Sequence, residues 1–287
     1  MDYLAPTTVE EATEILSGRP GAKVFAGATD VIPQIRAGRP EPEAVVDLKG
    51  IARLVSVSTD GSGWTIGAAT PTSRLTGNAE LAAEFPGLVE AAGLIGSDQI
   101  QARSSLGGNL CNASPAADSV PAMVVNGVRA VIASGSGTRT IPVEEVATGP
   151  GATSLAPGEF VVELELDHKP ANTGDAYLRM IPRTEMDIAV VGAGARITLD
   201  DDGVCTAAAV ALGAVAPTVV RVPDAEAALV GSTIDDNALA AVAEAASAAC
   251  NPIDDKRGTV AYRRQVAGVL ARRAVAQAAE RAREGAK

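Results

Sequence analysis

The chain has 287 residues, of which 47% are hydrophobic and only 2% aromatic, so its core must consist mainly of Ala, Val, Leu and Ile. A chain of this length is expected to contain more than one domain. The formal net charge of −11 at pH 7 argues against binding to nucleic acid or insertion into an anionic membrane, because binding to either polyanion needs a basic face.

The cysteines and the N-terminus favour a cytoplasmic protein. Cys111, Cys205 and Cys250 lie far apart, so they cannot by themselves ligate a four-cysteine iron–sulfur cluster or a zinc ion. An odd and sparse set of cysteines suits a reducing cytosol. The first six residues lack the basic region and the apolar run of a signal peptide, and no apolar stretch is long enough to span a bilayer.

The first fifty residues predict a small α/β unit. Residues 8–11, Thr-Val-Glu-Glu, form a capping box followed by an apolar stripe, which indicates the start of a helix. A strand at 23–25 runs directly into Ala26-Gly27-Ala28-Thr29-Asp30. A helical segment at 31–36 and a second strand at 44–48 follow.

A second unit is predicted from about residue 51 to residue 170. Its strands are expected at 54–58 and 64–68 around a hairpin turn at 60–63, and at 129–133, 139–142 and 160–166; its helices begin near Pro71 and cover 88–92 and 120–125. Between these helices lies Ser105-Leu106-Gly107-Gly108-Asn109, interpreted as a glycine-rich loop. Adjacent glycines let a backbone turn tightly and direct N–H groups outward, an arrangement that can hold a phosphate.

The two glycine-rich segments, 26–30 and 105–109, belong to two sub-units of one α/β domain. This is a sensible place for an extended ligand to lie between them. The alternative is that each is an ordinary turn shaped for packing, since glycine-rich turns are common.

From about Asp175 to residue 287 the pattern predicts a separate domain. Strands are expected at 188–199 and 205–212 around an acidic turn at 200–203, and helices at 238–249 and 260–283. The stretch 190–196 imitates the start of a dinucleotide-binding fingerprint. It lacks the third glycine and the following helix, so it is interpreted as a strand whose glycines permit close packing.

Several chemically capable residues receive structural interpretations. His168, the only histidine, has no second histidine or nucleophile beside it and is predicted to lie in a surface loop. Cys111 follows the second glycine segment and is interpreted as a small apolar residue, with contact to a ligand as the alternative. Arg257, Tyr262 and Arg263 are expected to be structural, either within the domain or at a domain or subunit contact.

Six ordered motifs across nearly the whole chain resemble those of the flavin-binding (medium) subunit of the molybdenum hydroxylases, the family of xanthine dehydrogenase and carbon monoxide dehydrogenase. They lie at residues 26–31, 99–109, 113–118, 149–159, 177–189 and 254–263. The chain departs from the family pattern at Ala28, where the family has a second glycine. It also departs at Gln101-Ala102 instead of Arg-Asn and at Arg179 instead of Lys.

The resemblance implies an α+β protein with FAD as its cofactor. It implies an FAD-binding domain of the PCMH type at 1–170, with subdomains at about 1–50 and 51–170, followed by a C-terminal domain of antiparallel strands and helices at 175–287. The residues implied to bind FAD are Ala26, Gly27, Ala28, Thr29, Asp30, Val31, Ser105, Leu106, Gly107, Gly108, Asn109, Asp118 and Arg179. Thr29 and Ser105 would donate from their hydroxyl groups, and Asp118 would accept from the ribose or adenine end.

The function implied by the resemblance is that of an oxidoreductase subunit without a catalytic base, nucleophile or metal site of its own. FAD would take electrons from the 2Fe–2S clusters of a small partner subunit and pass them to an external acceptor, while a molybdopterin-binding large subunit hydroxylates the substrate. A flavin-free assembly or scaffold subunit and a self-standing flavoprotein oxidase are the alternatives. Gly107, Gly108 and Asp118 favour flavin binding, and the lone His168 argues against an independent oxidase. The sequence fixes neither the substrate nor the acceptor, which is NAD, oxygen, a quinone or another carrier.

Overall fold

The computed structural model describes residues 1–285 and has the α+β fold that the sequence predicts. Residues 286 and 287, the end of the predicted C-terminal domain, lie outside the described residues. The described residues form three hydrophobic cores: one between the N-terminal sheet and the five-stranded sheet, one mainly between the five-stranded sheet and its helices, and one in the C-terminal domain.

The N-terminal unit is a three-stranded parallel sheet with two helices. Its elements are β1 (Asp2–Leu4), α1 (Val9–Gly18), β2 (Ala22–Phe25), α2 (Val31–Arg36) and β3 (Ala44–Asp47). Strand β3 lies between β1 and β2 and is buried along its whole length, as expected for a parallel strand covered on both faces. The N-cap at Thr8 is confirmed, because its hydroxyl accepts from the Glu11 N–H at 3.1 Å, while the Glu11 carboxylate accepts from the Thr7 N–H at 2.7 Å and not from that of Thr8 as in a full capping box. Strand β1 has no signal in the sequence pattern and is held by pairing with β3.

The second unit contains a five-stranded antiparallel sheet in the order β4-β5-β10-β6-β7, with six helices inserted between its strands. The elements are β4 (Val57–Asp60), β5 (Gly63–Gly67), α3 (Thr72–Thr76), α4 (Ala79–Glu84), α5 (Pro86–Gly93), α6 (Asp98–Gln101), α7 (Leu106–Cys111), α8 (Ser119–Val125), β6 (Arg129–Ser134), β7 (Gly137–Pro142), β8 (Ala147–Gly149), β9 (Ala152–Thr153) and β10 (Phe160–Asp167).

Two predictions for this unit are wrong. Residues Ala52–Val55 form a 3-10 turn and not the start of a strand, since Leu54 is fully buried while its backbone lies against Gly67. The segment 105–109, predicted as a loop, is the beginning of helix α7. Ser105 caps this helix, and Gly107 packs directly on Ala68, so the cap and the packing outweigh the low helix propensity of glycine.

The C-terminal domain is a four-stranded antiparallel sheet with three helices. It contains β11 (Thr173–Met180), β12 (Val191–Leu199), β13 (Cys205–Gly213), β14 (Val220–Arg221), α9 (Pro223–Leu229), α10 (Asp236–Ala249) and α11 (Val260–Glu284). The segment at 190–196 is confirmed as part of a strand region, although β12 begins only at Val191. A Cβ at Gly194 would lie 2.8 Å from the Pro121 carbonyl oxygen, so this glycine lets α8 rest on the sheet.

Buried polar contacts join the C-terminal domain to the rest of the molecule. The Lys169 ammonium lies 2.6 Å from the Asp175 carboxylate, and both side chains are almost completely buried. Asp175 also accepts from the backbone N–H of Leu88, at 3.1 Å. Arg281 of the last helix donates to the Asp175 carbonyl and pairs with Glu90. The two domains therefore share one hydrogen-bonded interface at this point.

Candidate functional site

The two glycine-rich segments line the same cavity, between the N-terminal sheet and the second unit. It contains about 1200 Å³ of empty space, part of which is open to solvent. Backbone and small side chains make up much of its wall, and Phe25, Leu155 and Phe160 add apolar surface. A cavity of this kind, apolar with a few placed polar groups, is typical of a small-molecule or cofactor site.

The first segment, Ala26–Asp30, connects β2 to α2 along one wall of the cavity. A Cβ on Gly27 would lie 1.8 Å from the Arg103 carbonyl oxygen, so only glycine lets this segment approach the second one. Ala28 has φ +60°, a left-handed conformation that costs an L-residue energy. Lys49 fixes the start of the segment, because its ammonium donates to the Ala26 carbonyl at 2.9 Å.

The first segment lines the cavity, and its backbone amides have no acceptor among the described protein groups. Within residues 1–285, the N–H groups of Gly27, Ala28, Thr29 and Asp30 donate to no other protein group. Unsatisfied amides are costly when they are shielded from water, so a ligand with acceptor oxygens would stabilise them.

The second segment presents a similar set of donors from the first turn of α7. The N–H groups of Leu106 and Gly107 have no acceptor among the described residues. Ser105 accepts from the Gly108 N–H at 3.0 Å, which leaves the serine hydroxyl proton available to a ligand. Gly108 is exposed to the cavity, and a Cβ there would meet only the Ser105 Oγ, at 3.1 Å.

The charges in the cavity are few. The wall contains three charged residues, Lys23, Asp30 and Arg39. Burial raises the pKa of the Asp30 carboxyl group. Burial also raises the pKa of the Cys111 thiol to about 12, so Cys111 is a neutral wall residue at physiological pH. The amides, more than charged side chains, would therefore hold an anion here. These residues fit the diphosphate of a dinucleotide.

The structure places the predicted residues in two groups. Ala26, Gly27, Ala28, Thr29, Asp30, Val31, Ser105, Gly107, Gly108 and Asn109 line the cavity. Leu106 instead points into the core and is 2% exposed. Asp118 and Arg179 do not belong to the cavity wall and bond to each other.

The carboxylate of Asp118 accepts from Arg179 at 2.7 Å and from the Tyr177 hydroxyl at 2.9 Å. Burial raises the pKa of Asp118, and the adjacent Arg179 opposes that shift. Since Asp118 lies at the start of α8 and the other two residues on β11, this cluster joins the two domains.

Several wall residues are not among the site residues that the sequence predicts, and four of them matter below. They are Phe25, Gln34, Arg39 and Asn112. Gln34 donates to Asn112 at 2.8 Å, from α2 to the end of α7, and so connects the two walls. The one feature of the sequence that could have indicated their place in the wall is that Gln34 and Arg39 follow shortly after a glycine-rich segment.

His168, Arg257 and Arg263 occupy structural positions, whereas Cys111 lines the cavity. His168 is exposed, with Nδ1 2.9 Å from Glu84 and Nε2 2.7 Å from the Asp60 carbonyl oxygen. The Arg263 guanidinium is buried and donates to the Val190 carbonyl and to the Asp255 carboxylate, both at 2.6 Å. Arg257 pairs with Asp187, at 3.2 Å. His168, Arg257 and Arg263 do not line the cavity.

The fold and the cavity define a protein of the small-molecule- or cofactor-binding class, with a cavity between its first two units and a separate α+β domain after them. Residues 1–168 match the family model described as the FAD binding domain in molybdopterin dehydrogenase, and residues 176–278 match the CO dehydrogenase flavoprotein C-terminal domain. The chain belongs to this family, the FAD-binding subunits of the molybdenum hydroxylases, and FAD is its cofactor.

Similar proteins cover the whole length of the chain. The carbon monoxide dehydrogenase medium chain of Afipia carboxidovorans is 32% identical over 98% of both chains. The 6-hydroxypseudooxynicotine dehydrogenase complex subunit alpha of Paenarthrobacter nicotinovorans is 31% identical over 98% of this chain and 95% of that protein. A chain of carbon monoxide dehydrogenase from Hydrogenophaga pseudoflava superposes with a TM-score of 0.94 at 32% identity, covering 98% of each chain. The predicted oxidoreductase class and medium-subunit identity are confirmed.

Two absences within residues 1–285 bear on membranes and metals. No helix in this range is long and apolar enough to cross a membrane. The same residues contain no group of three or more His, Cys, Asp or Glu side chains placed to hold a metal ion.

Proposed function

We propose that this chain is the electron-transfer subunit of a molybdenum hydroxylase complex. It would accept electrons from the 2Fe–2S clusters of a small partner subunit and deliver them to an external acceptor, while a molybdopterin-binding large subunit hydroxylates the substrate. The observation that carries the proposal is the convergence of two sets of unpartnered amides on one cavity, in a chain similar to medium chains of dehydrogenase complexes. We place this complex in the cytoplasm because the three cysteines are free thiols.

The residues that would hold FAD follow from the wall of the cavity. The amides of 27–30 and those of Leu106 and Gly107 would bind the diphosphate, and the Thr29 and Ser105 hydroxyl groups would donate to it. Asp118 and Arg179 are included on the family resemblance alone. The proposed domain limits are 1–170 and 175–287.

The chemistry of electron transfer belongs to the cofactor, since FAD converts electrons that arrive singly into a pair. The protein contributes binding and orientation. His168 is engaged by Glu84 and Asp60 outside the cavity, and the Cys111 thiol stays protonated because burial raises its pKa to about 12. This arrangement favours an electron-transfer subunit over an oxidase that needs its own acid and base.

The test is the visible absorption spectrum of the purified chain, followed by denaturation and identification of the released nucleotide. We expect FAD in the wild-type protein. Gly108→Leu should lose the flavin and keep its fold, because its Cβ would meet only the Ser105 Oγ, at 3.1 Å, and Gly108 is exposed in the cavity wall, where a larger side chain would take up ligand space. Gly61→Leu is the matched control, since Gly61 lies in the exposed β4–β5 turn with open space around it.

A colourless wild-type protein that also fails to take up added FAD would contradict the proposal and support the scaffold alternative. If Gly108→Leu retains a full complement of flavin, the assignment of the second segment is wrong even if the chain is a flavoprotein. Co-purification with subunits that contain molybdenum and iron–sulfur clusters would test the partner assignment separately.

A further inference from the structure

A chain of side-chain hydrogen bonds connects the two walls of the cavity. Gln34 lies on α2, just after the first glycine-rich segment, and Asn112 lies at the end of α7, just after the second. The Gln34 Nε2 donates to the Asn112 Oδ1 at 2.8 Å. Arg39 donates to the Gln34 Oε1 at 3.2 Å, which fixes the amide in the orientation that donates to Asn112. All three residues line the cavity.

We propose that Arg39, Gln34 and Asn112 form a clasp that controls how fast FAD leaves the cavity. The inference rests on the proposed placement of the diphosphate between the two segments. Because the Gln34–Asn112 bond joins the element after one segment to the element after the other, separating the two walls requires breaking it. The clasp therefore slows release of a ligand held between the walls, and its contribution falls mainly on the dissociation rate.

The charge of Arg39 gives the clasp a second role. The chain carries a net charge of −11, yet its cavity wall contains two cations, Lys23 and Arg39, against the single acid Asp30. Within residues 1–285 the Arg39 guanidinium has Gln34 as its hydrogen-bond partner, and its other N–H donors bond to no protein group. A guanidinium placed this way would attract the negatively charged diphosphate. Arg39 is thus both the residue that orients Gln34 and a cation at the site.

A double-mutant cycle on the full-length chain tests the bond between the walls. FAD dissociation from the loaded protein is followed by the recovery of flavin fluorescence after dilution. Gln34→Leu and Asn112→Leu should each release FAD about tenfold faster than the wild type, the effect of losing one hydrogen bond. The double variant should be no faster than either single variant, because both substitutions remove the same bond.

The role of Arg39 is tested by the dependence of FAD affinity on salt. Arg39→Met should weaken binding and reduce its sensitivity to salt, since an exposed charge is screened by ions. Arg39→Lys should restore the salt dependence while releasing FAD faster than the wild type. Arg36→Met is the matched control: Arg36 is an exposed arginine three residues before Arg39, at the end of α2 and outside the cavity wall, and its loss should change neither quantity.

The outcomes separate this inference from the proposed function. If the wild type does not bind FAD, the proposed function fails. If the wild type binds FAD and Gly108→Leu loses it, but Gln34→Leu and Asn112→Leu release it at the wild-type rate, the clasp is refuted and the flavin site stands. Additive effects in the double variant would also refute the clasp, since they would show that Gln34 and Asn112 act independently.

Discussion

Replacing Ala28 by glycine tests whether the first glycine-rich segment is strained where it departs from the family pattern. Ala28 has φ +60°, and this left-handed conformation costs an L-residue about 1–2 kcal/mol. Glycine removes that cost but adds about 0.4–1 kcal/mol of conformational entropy to the unfolded chain. Ala28→Gly should therefore raise the free energy of unfolding by about 0.5–1 kcal/mol.

Ala37→Gly is the matched control, because Ala37 is exposed at the end of α2 with an ordinary φ of −83°. Ala37→Gly removes no left-handed strain, so it should lower the free energy of unfolding by about 0.5–1 kcal/mol. The assay is urea unfolding of both variants and the wild type, each freed of flavin. A difference of about 1–2 kcal/mol between the two variants, with Ala28→Gly the more stable, is expected. Equal destabilisation by both substitutions would refute the interpretation that Ala28 is strained.

Two further predictions concern titratable groups. The hydrogen bond from His168 to the Asp60 carbonyl and its contact with Glu84 raise the pKa of the imidazole, so the stability it contributes is fully present below about pH 6.5 and declines as the pH rises through the folded-state pKa. The stability difference between wild type and His168→Gln, measured by urea unfolding across this pH range, should shrink as pH rises, and a constant difference would contradict the assignment. Burial raises the pKa of the Cys111 thiol to about 12, so iodoacetamide near pH 8 should leave Cys111 unmodified in the folded, flavin-free chain and alkylate it in urea. Rapid alkylation of native Cys111, detected by peptide mass analysis, would show that the thiol is not shielded.

The elements with local signals were predictable from the sequence. The helix after Thr8 has a capping side chain and an apolar stripe, and the β4–β5 hairpin has a turn rich in Gly and Asp. Strand β1 was missed because three residues carry too little pattern, and its existence depends on parallel pairing with β3, a contact more than forty residues away in sequence. Helix α7 was predicted as a loop because propensity disfavours its two glycines, whereas the contact of Gly107 with Ala68 is tertiary and invisible in the sequence.

In the candidate site, the backbone segments were predictable from the sequence and the directions of the side chains were not. Motifs identify segments of backbone, so both sets of amides were found. Motifs do not show where each side chain points. Leu106 belongs to a motif and yet points into the core, while Asp118 and Arg179 bond to each other across the domain interface. Gln34 lies on α2 and Arg39 three residues beyond its end; both line the cavity, and no pattern of residue types marks either position.

Backbone donors explain how a negatively charged chain can bind a negatively charged cofactor. A protein with a net charge of −11 would repel a diphosphate if binding depended on its overall field. In the proposed site the amides of Gly27 to Asp30 and of Leu106 and Gly107 would supply the donors, and their dipoles are fixed by the fold at any net charge. Glycine is needed where the backbone must come close, at Gly27 against Arg103 and at Gly107 against Ala68. Gly27 and Gly107, two of the glycines that made the site visible in the sequence, bring backbones close together, and Gly108 is the one whose missing side chain would leave room for the proposed ligand.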